Sequence, residues 1–470
     1  MDERGNKNKI RIAIAAAGWL LIQVLGNDGM QNTLTSKGVD DEQWVMVKTK
    51  GNQFIVGDRP FYFNGFNSYA LMVLAANPST RGHVTEVLQQ AAAVGRAHGV
   101  PDLGVQRWWL GGTPEVTLRL QRECLQVRLE WIILEVHPSK CHFHQRNGSI
   151  KGLLVSLLTY MQALDFVVSE ARDYKIRVIL PLVDNWSDGY GGKAQYVKWA
   201  RDAGINVTSN KDGDDFFTAQ TIKGYYKNHI KNMLTRVNTY MNVMYKDDPT
   251  IFAWELINEP QCRSDPTGNT VQAWIEEMAL HVKSIDPDHL LEVGPEGYYG
   301  PSTPTRLQAN PNTYSGQFGT DFIRNPATTA PTASTSPPST CTRKYGCRMG
   351  HRWRCTSSLC SAHISDAEGV LGMPVVFTKF GFCSNSTPRD QFLQAVYGEL
   401  LGSAQCSGAG AGNLLFQVIL EELDGMDDCY AVVLTREAAT AGIMSAHSKK
   451  LQIINNRPSE AGGANRRDEH

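Results

Sequence analysis

Short apolar runs that end in polar residues recur along the chain. They predict strands over Pro60 to Asn67, Lys175 to Trp186, Ile251 to Ile257, His289 to Tyr299, Met373 to Gly381 and Asn413 to Gln417. Ahead of them, Trp44 to Val56 reads as an entry strand and turn. Between them, apolar residues at helical spacing predict amphipathic helices over Val84 to Val94 and Ala163 to Arg172. Strands alternating with helices of this length predict a (β/α)8 barrel, whose functional residues sit at the carboxyl ends of the strands.

The run Ile251 to Ile257 has the length of a buried strand, and Pro260 cannot continue a ladder. Glu259 therefore falls at a strand's carboxyl end, with Asn258 beside it and Glu255 within the strand. A carboxylate flanked by apolar bulk is costly to bury unless paired, which points to a tuned acid. The bland alternative is a glutamate that caps a loop.

Composition narrows the partners rather than the fold. A net charge of −1 gives no electrostatic reason to expect nucleic acid or an anionic membrane surface. Lys7, Lys9 and Arg11 precede an apolar run from Ile12 to Leu25, the pattern of a secretory leader and short for a membrane span. The expected layout is a signal peptide or uncleaved anchor over 1–28, a catalytic domain over 40–455 and a polar, disordered tail over 456–470. No stable membrane partner is expected unless the leader stays attached. Ten cysteines fit an oxidising compartment, but their pairing does not follow from the count. The triplets at Asn147, Asn185, Asn206 and Asn385 are candidate glycan acceptors in a secreted chain. The glycine-rich stretch Gly189 to Lys193 lacks phosphate-loop spacing and reads as a cleft-edge loop. Cys341, Cys347, Cys355 and Cys360, with His351 among them, fit no common zinc spacing, so no metal site is expected there.

The stretch Trp254-Glu255-Leu256-Ile257-Asn258-Glu259-Pro260, with Tyr245 to Ala253 before it, resembles the plant endo-β-1,4-mannanases of glycoside hydrolase family 5. The resemblance implies a TIM barrel, a retaining reaction without cofactor or metal, and mannans, glucomannans and galactomannans of the cell wall as partners. It assigns the general acid/base to Glu259 and a sugar contact to Asn258. The likeness covers roughly 51–95, 160–325 and 362–450.

Departures from that family are as informative as the match. Its second strand carries Thr-Val-Cys-Arg-Thr-Trp-Ala-Phe-Asn-Asp-Gly, where this chain has Gly99 to Trp108. Its sixth carries a His and a Tyr in Asp-Phe-Ala-Thr-Val-His-(Ile/Val)-Tyr-Pro, where this chain has Ser334 to Thr342. Codons for both stretches can spell most of the expected motif one base out of register. The hypothesis is therefore a shift of reading frame at each place, with strands two and six disrupted. Transcript sequencing tests it, and one clean frame with no such motif in either alternative refutes it. A lineage-specific insertion is the alternative at the first stretch.

The seventh strand of the family ends Thr-Glu-Phe-Gly, and its Glu is the nucleophile; here Lys379 stands at that position. Phe416 stands where the family has a sugar-stacking Trp, and it could still stack on a sugar face or belong to the core. A retaining glycosidase needs two carboxyl groups about 5 to 5.5 Å apart. Lys379 supplies none, and a cation beside Glu259 would favour its ionised form, leaving no proton to donate. The expectation is an impaired mannanase whose Lys379 pairs with Glu259. The competing readings are an inactive wall-polysaccharide-binding protein, a chain that fails to fold, and a sister β-1,4-glucanase.

Overall fold

The computed structural model describes residues 44–68, 70–95, 105–107, 150–186, 192–207, 212–300, 303–310, 333–335, 359–383, 387–426 and 429–457. Eight strands form one parallel sheet: β1 (Phe63–Asn67), β2 (Val105–Arg107), β3 (Arg177–Pro181), β4 (Ile251–Asn258), β5 (Leu290–Gly294), β6 (Ala333–Thr335), β7 (Val375–Phe380) and β8 (Gly410–Leu415). Their hydrogen-bonded order is β5-β4-β3-β2-β1-β8-β7-β6, and the end strands β5 and β6 lie against each other. Neighbours in the sheet are thus neighbours in the chain all the way round, the order of a (β/α)8 barrel.

Buried parallel strands are covered on both faces, so they need apolar residues on both. All eight residues of β4 are buried. Phe252 packs inward with Phe54, Phe61, Phe63, Ile179, Leu290, Val376 and Leu414. Trp254 faces the outer helices instead, and its indole donates to Asp286 Oδ2 at 2.7 Å. Phe252 meets Phe54 and Phe63 edge-on, with ring centroids 5.1 Å apart in each pair. Burying each such ring contributes roughly 1.5–3 kcal/mol. Gly412 makes room for this packing, because a Cβ there would lie 2.4 Å from the Phe63 ring. A small antiparallel sheet (Lys48–Lys50, Gln53–Val56, Arg59–Pro60) brings Phe54 and Phe61 to that plug.

Helices between the strands follow the apolar spacing. Ala163, Leu164, Val167, Val168 and Ala171 form the buried stripe of the helix Ile150–Asp173. A disulfide joins Cys383, just after β7, to Cys429, in the connection after β8.

Several boundaries move. The first barrel strand starts at Phe63 rather than Pro60, and the last runs Gly410–Leu415, leaving Phe416 just beyond it. Strands two and six, which depart in sequence from the family motif, are present as three-residue strands. Val105–Arg107 pairs with β1 and β3, and Ala333–Thr335 pairs with β7. A parallel ladder is made by backbone groups, so it survives without the apolar signature that marks a strand in sequence. Asn185 is buried and accepts a hydrogen bond from the Gln261 amide at 3.1 Å, so it does not offer a glycan site. Asn206 is exposed. The leader over 1–28, the triplets at Asn147 and Asn385, the cysteines at 341, 347 and 355 with His351, and residues 458–470 lie outside the described residues.

Candidate active site

The connections leaving β3, β4, β5, β7 and β8 bring a polar cluster to the carboxyl end of the barrel. Glu259 directly follows β4 and adopts a left-handed backbone, φ +49°, uncommon for a residue with a side chain. Its amide donates to Gly294 O at 2.7 Å, which ties the turn to the end of β5. Such a conformation persists only where the surroundings over-determine it.

Both oxygens of Glu259 are occupied. Lys379 Nζ donates to Oε1 at 2.9 Å, and Trp186 Nε1 donates to Oε2 at 2.5 Å. An ammonium and an indole are donors only. Each of these two contacts favours the carboxylate form of Glu259. Glu259 and Lys379 are both largely buried, with side chains 7% and 13% exposed, so this is no solvent-screened surface pair. The Lys379 ammonium also sits 4.8 Å from the centroid of the Phe416 ring. Half-buried Phe416 thus offers one face to a cation, a contact of about 0.5–2 kcal/mol. Asn258 is wholly buried, and its amide donates to Asp184 Oδ1 at 3.1 Å.

Two further carboxyl groups line the same floor. Burial pushes Asp184 up to about 7, and the charge of Glu259 adds to the rise against the opposing Asn258 hydrogen bond and Lys379 charge. Burial likewise pushes Glu296 up to about 7, with Glu259 again adding, while Gln261 and Lys379 oppose. Gln261 Nε2 donates to Glu296 Oε2 at 2.7 Å. Among the described residues, the Lys379 ammonium thus shares this floor with three carboxyl groups, those of Glu259, Asp184 and Glu296.

The sequence had marked Asn258, Glu259, Lys379 and Phe416. The last three are in mutual contact through Lys379, while Asn258 lies beneath them. Sequence reasoning assigned no role to Asp184, Trp186, Gln261 or Glu296. Their signal was the polar end of a predicted strand: Asp184-Asn185-Trp186 after β3, and Glu296 two residues after β5.

A closed parallel barrel with a polar cluster at the carboxyl ends of its strands is a TIM barrel with its candidate site where that fold places catalysis. Residues 156–312 match the family described as GH family 5 beta-mannosidase-like. The chain is 48% identical to a rice (Oryza sativa subsp. japonica) protein whose name, mannan endo-1,4-beta-mannosidase 5, is itself provisional; the match covers 95% of this chain and 85% of that one. It is 42% identical to mannan endo-1,4-beta-mannosidase 8 of the same plant, over 87% of this chain and 100% of that one. Among solved structures, the endo-beta-1,4-mannanase from Thermotoga petrophila superposes with a TM-score of 0.62 at 24% identity, covering 84% of this chain and 77% of that chain, a likeness of fold. The chain belongs to the plant mannan endo-1,4-β-mannosidases of glycoside hydrolase family 5.

Proposed function

We propose that this protein recognises β-1,4-linked mannans, glucomannans and galactomannans of the cell wall, and that its retaining hydrolysis is severely impaired. In this reading Glu259 holds the acid/base position and Lys379 the nucleophile position. The observation that carries it is the 2.9 Å contact between Lys379 Nζ and Glu259 Oε1. The retaining route forms an ester between the sugar's anomeric carbon and an enzyme carboxylate, which water then hydrolyses. An ammonium has no lone pair with which to form that bond. The same ammonium holds the acid as an acceptor. Loss of an attacking residue costs on the order of 10⁶-fold in a well-studied hydrolase, which far exceeds what binding contacts restore.

Trp186 suits the binding side of this reading. It is 44% exposed at the mouth, and its N–H is already satisfied by Glu259, leaving an aromatic face for a sugar ring. The leader over 1–28 supports an extracellular, wall-facing location, and no cofactor or metal enters the reading.

Calorimetric titration of the full chain with mannohexaose and cellohexaose, run beside a reducing-end assay, tests the proposal. Mannohexaose should bind more tightly than cellohexaose and remain intact over hours. Rapid release of shorter mannosides, or preference for cellohexaose, would overturn it.

A further inference from the structure

The turn that carries Glu259 continues through Gln261 and Cys262 to Ser264, and a buried ion pair grips it from behind. Lys193 opens the helix Lys193–Asp202, and Asp214 precedes the short helix Asp215–Thr218. Both residues are buried, with 3% and 4% of their surface exposed. Lys193 Nζ donates to Asp214 Oδ1 at 3.0 Å and to Gln261 O at 2.5 Å, and lies 5.1 Å from the Phe217 ring centroid. The other oxygen, Asp214 Oδ2, accepts from the Ser264 amide at 2.8 Å. The pair thus holds the turn at two backbone points, a carbonyl and an amide. Gly213 allows this approach: it adopts φ +71°, and a Cβ there would come within 3.1 Å of Ala194 Cα.

Two more contacts carry that grip to the cleft. The Gln261 amide donates to Asn185 Oδ1 at 3.1 Å, and its side chain donates to Glu296 Oε2 at 2.7 Å. Gln261 is therefore fixed through its carbonyl, its amide and its side chain. Burial acts to raise Asp214, but the Ser264 amide and Lys193 outweigh it and hold the carboxyl below its usual range.

We propose that Lys193 and Asp214 are positioning residues: they fix the 259–264 turn, and through Gln261 they place Glu259 and Glu296 for sugar binding. A buried ion pair contributes little net stability compared with apolar residues of similar volume. Its contribution here is directional, because only a donor and an acceptor can hold the Gln261 carbonyl and the Ser264 amide. The sugar-binding part rests on the mannan reading above; the backbone part does not.

The test compares the full-length native chain with Lys193→Met/Asp214→Leu by melting temperature, amide hydrogen exchange and mannohexaose titration. The melting temperature should hold, while the Gln261 and Ser264 amides exchange about tenfold faster or more and mannohexaose binds about tenfold more weakly. Unchanged exchange and unchanged affinity would overturn the proposal. Should the double variant unfold, Asp214→Asn, which keeps the side chain's size and one acceptor oxygen, carries the same comparison. If the native chain binds no mannohexaose, the mannan reading fails, and the exchange result still decides whether the pair fixes the turn.

Discussion

The β3–β4–β5 side of the barrel mouth and the β7–β8 side solve different problems. On the first, Asp184, Asn185, Asn258, Glu259, Gln261 and Glu296 interlock through backbone and side-chain hydrogen bonds. On the second, a cation on β7 and an aromatic ring just past β8 stack on each other, and the connection after β8 is anchored to that after β7 by a disulfide. Glu259 touches both sides. The comparison teaches that the two sides are held differently: the first by many hydrogen bonds spread over three strands, the second by one cation, one ring and one disulfide.

Breaking the tether of the second side should have the largest effect on stability. Cys383 and Cys429 are 46 residues apart, and closing a loop of that length stabilises by about 4 kcal/mol in the chain-entropy account. Cys383→Ala/Cys429→Ala should lose stability of that order in denaturant unfolding. The amides after β8 should lose exchange protection before those of the β3–β4–β5 side. Simultaneous loss on both sides would erase the distinction between them.

Glu259→Gln cuts the bridge between the sides. It leaves the Lys379 ammonium largely buried without its counter-charge, and should cost about 3 kcal/mol in the same measurement. A neutral outcome would mean that Lys379 turns out to solvent at no cost.

Asp184→Asn sharpens the picture of the first side through pH. The folded-state value of Asp184 is raised to about 7 from an ordinary 3.8, chiefly by burial. The native fold therefore keeps a proton that the unfolded chain releases. The stability contributed by this group is full below about pH 4, falls as pH rises towards 7 and is absent above it. The variant should lose that part of the slope and gain up to about 4 kcal/mol over the native chain at pH 8. Parallel curves from pH 4 to 8 would place the titration elsewhere.

Much of this molecule was legible before its structure. β4 declares itself because eight residues buried on both faces leave an apolar run ending at Asn258-Glu259-Pro260. Lys379 was conspicuous because it stands where the seventh-strand motif of the resembled family has a glutamate. β2 and β6 were not legible. Val105-Gln106-Arg107 and Ala333-Ser334-Thr335 carry little of the apolar periodicity from which strands are read, and their place comes from backbone pairing with neighbours. The disulfide was hidden in a count of ten cysteines that allows many pairings. Lys193 and Asp214 were illegible as partners because their meeting depends on how two separate connections fold back onto the turn after β4.

The charge at position 379 is the centre of the account, and Lys379→Glu tests it most directly. Both chains would be incubated with mannohexaose and the released mannosides quantified, with the anomeric form of the product followed by NMR. The variant should cleave at least about 10³-fold faster than the native chain, with retention of configuration, because it regains a carboxylate opposite Glu259. A native chain that already cleaves mannohexaose with retention, as fast as the variant, would contradict the account.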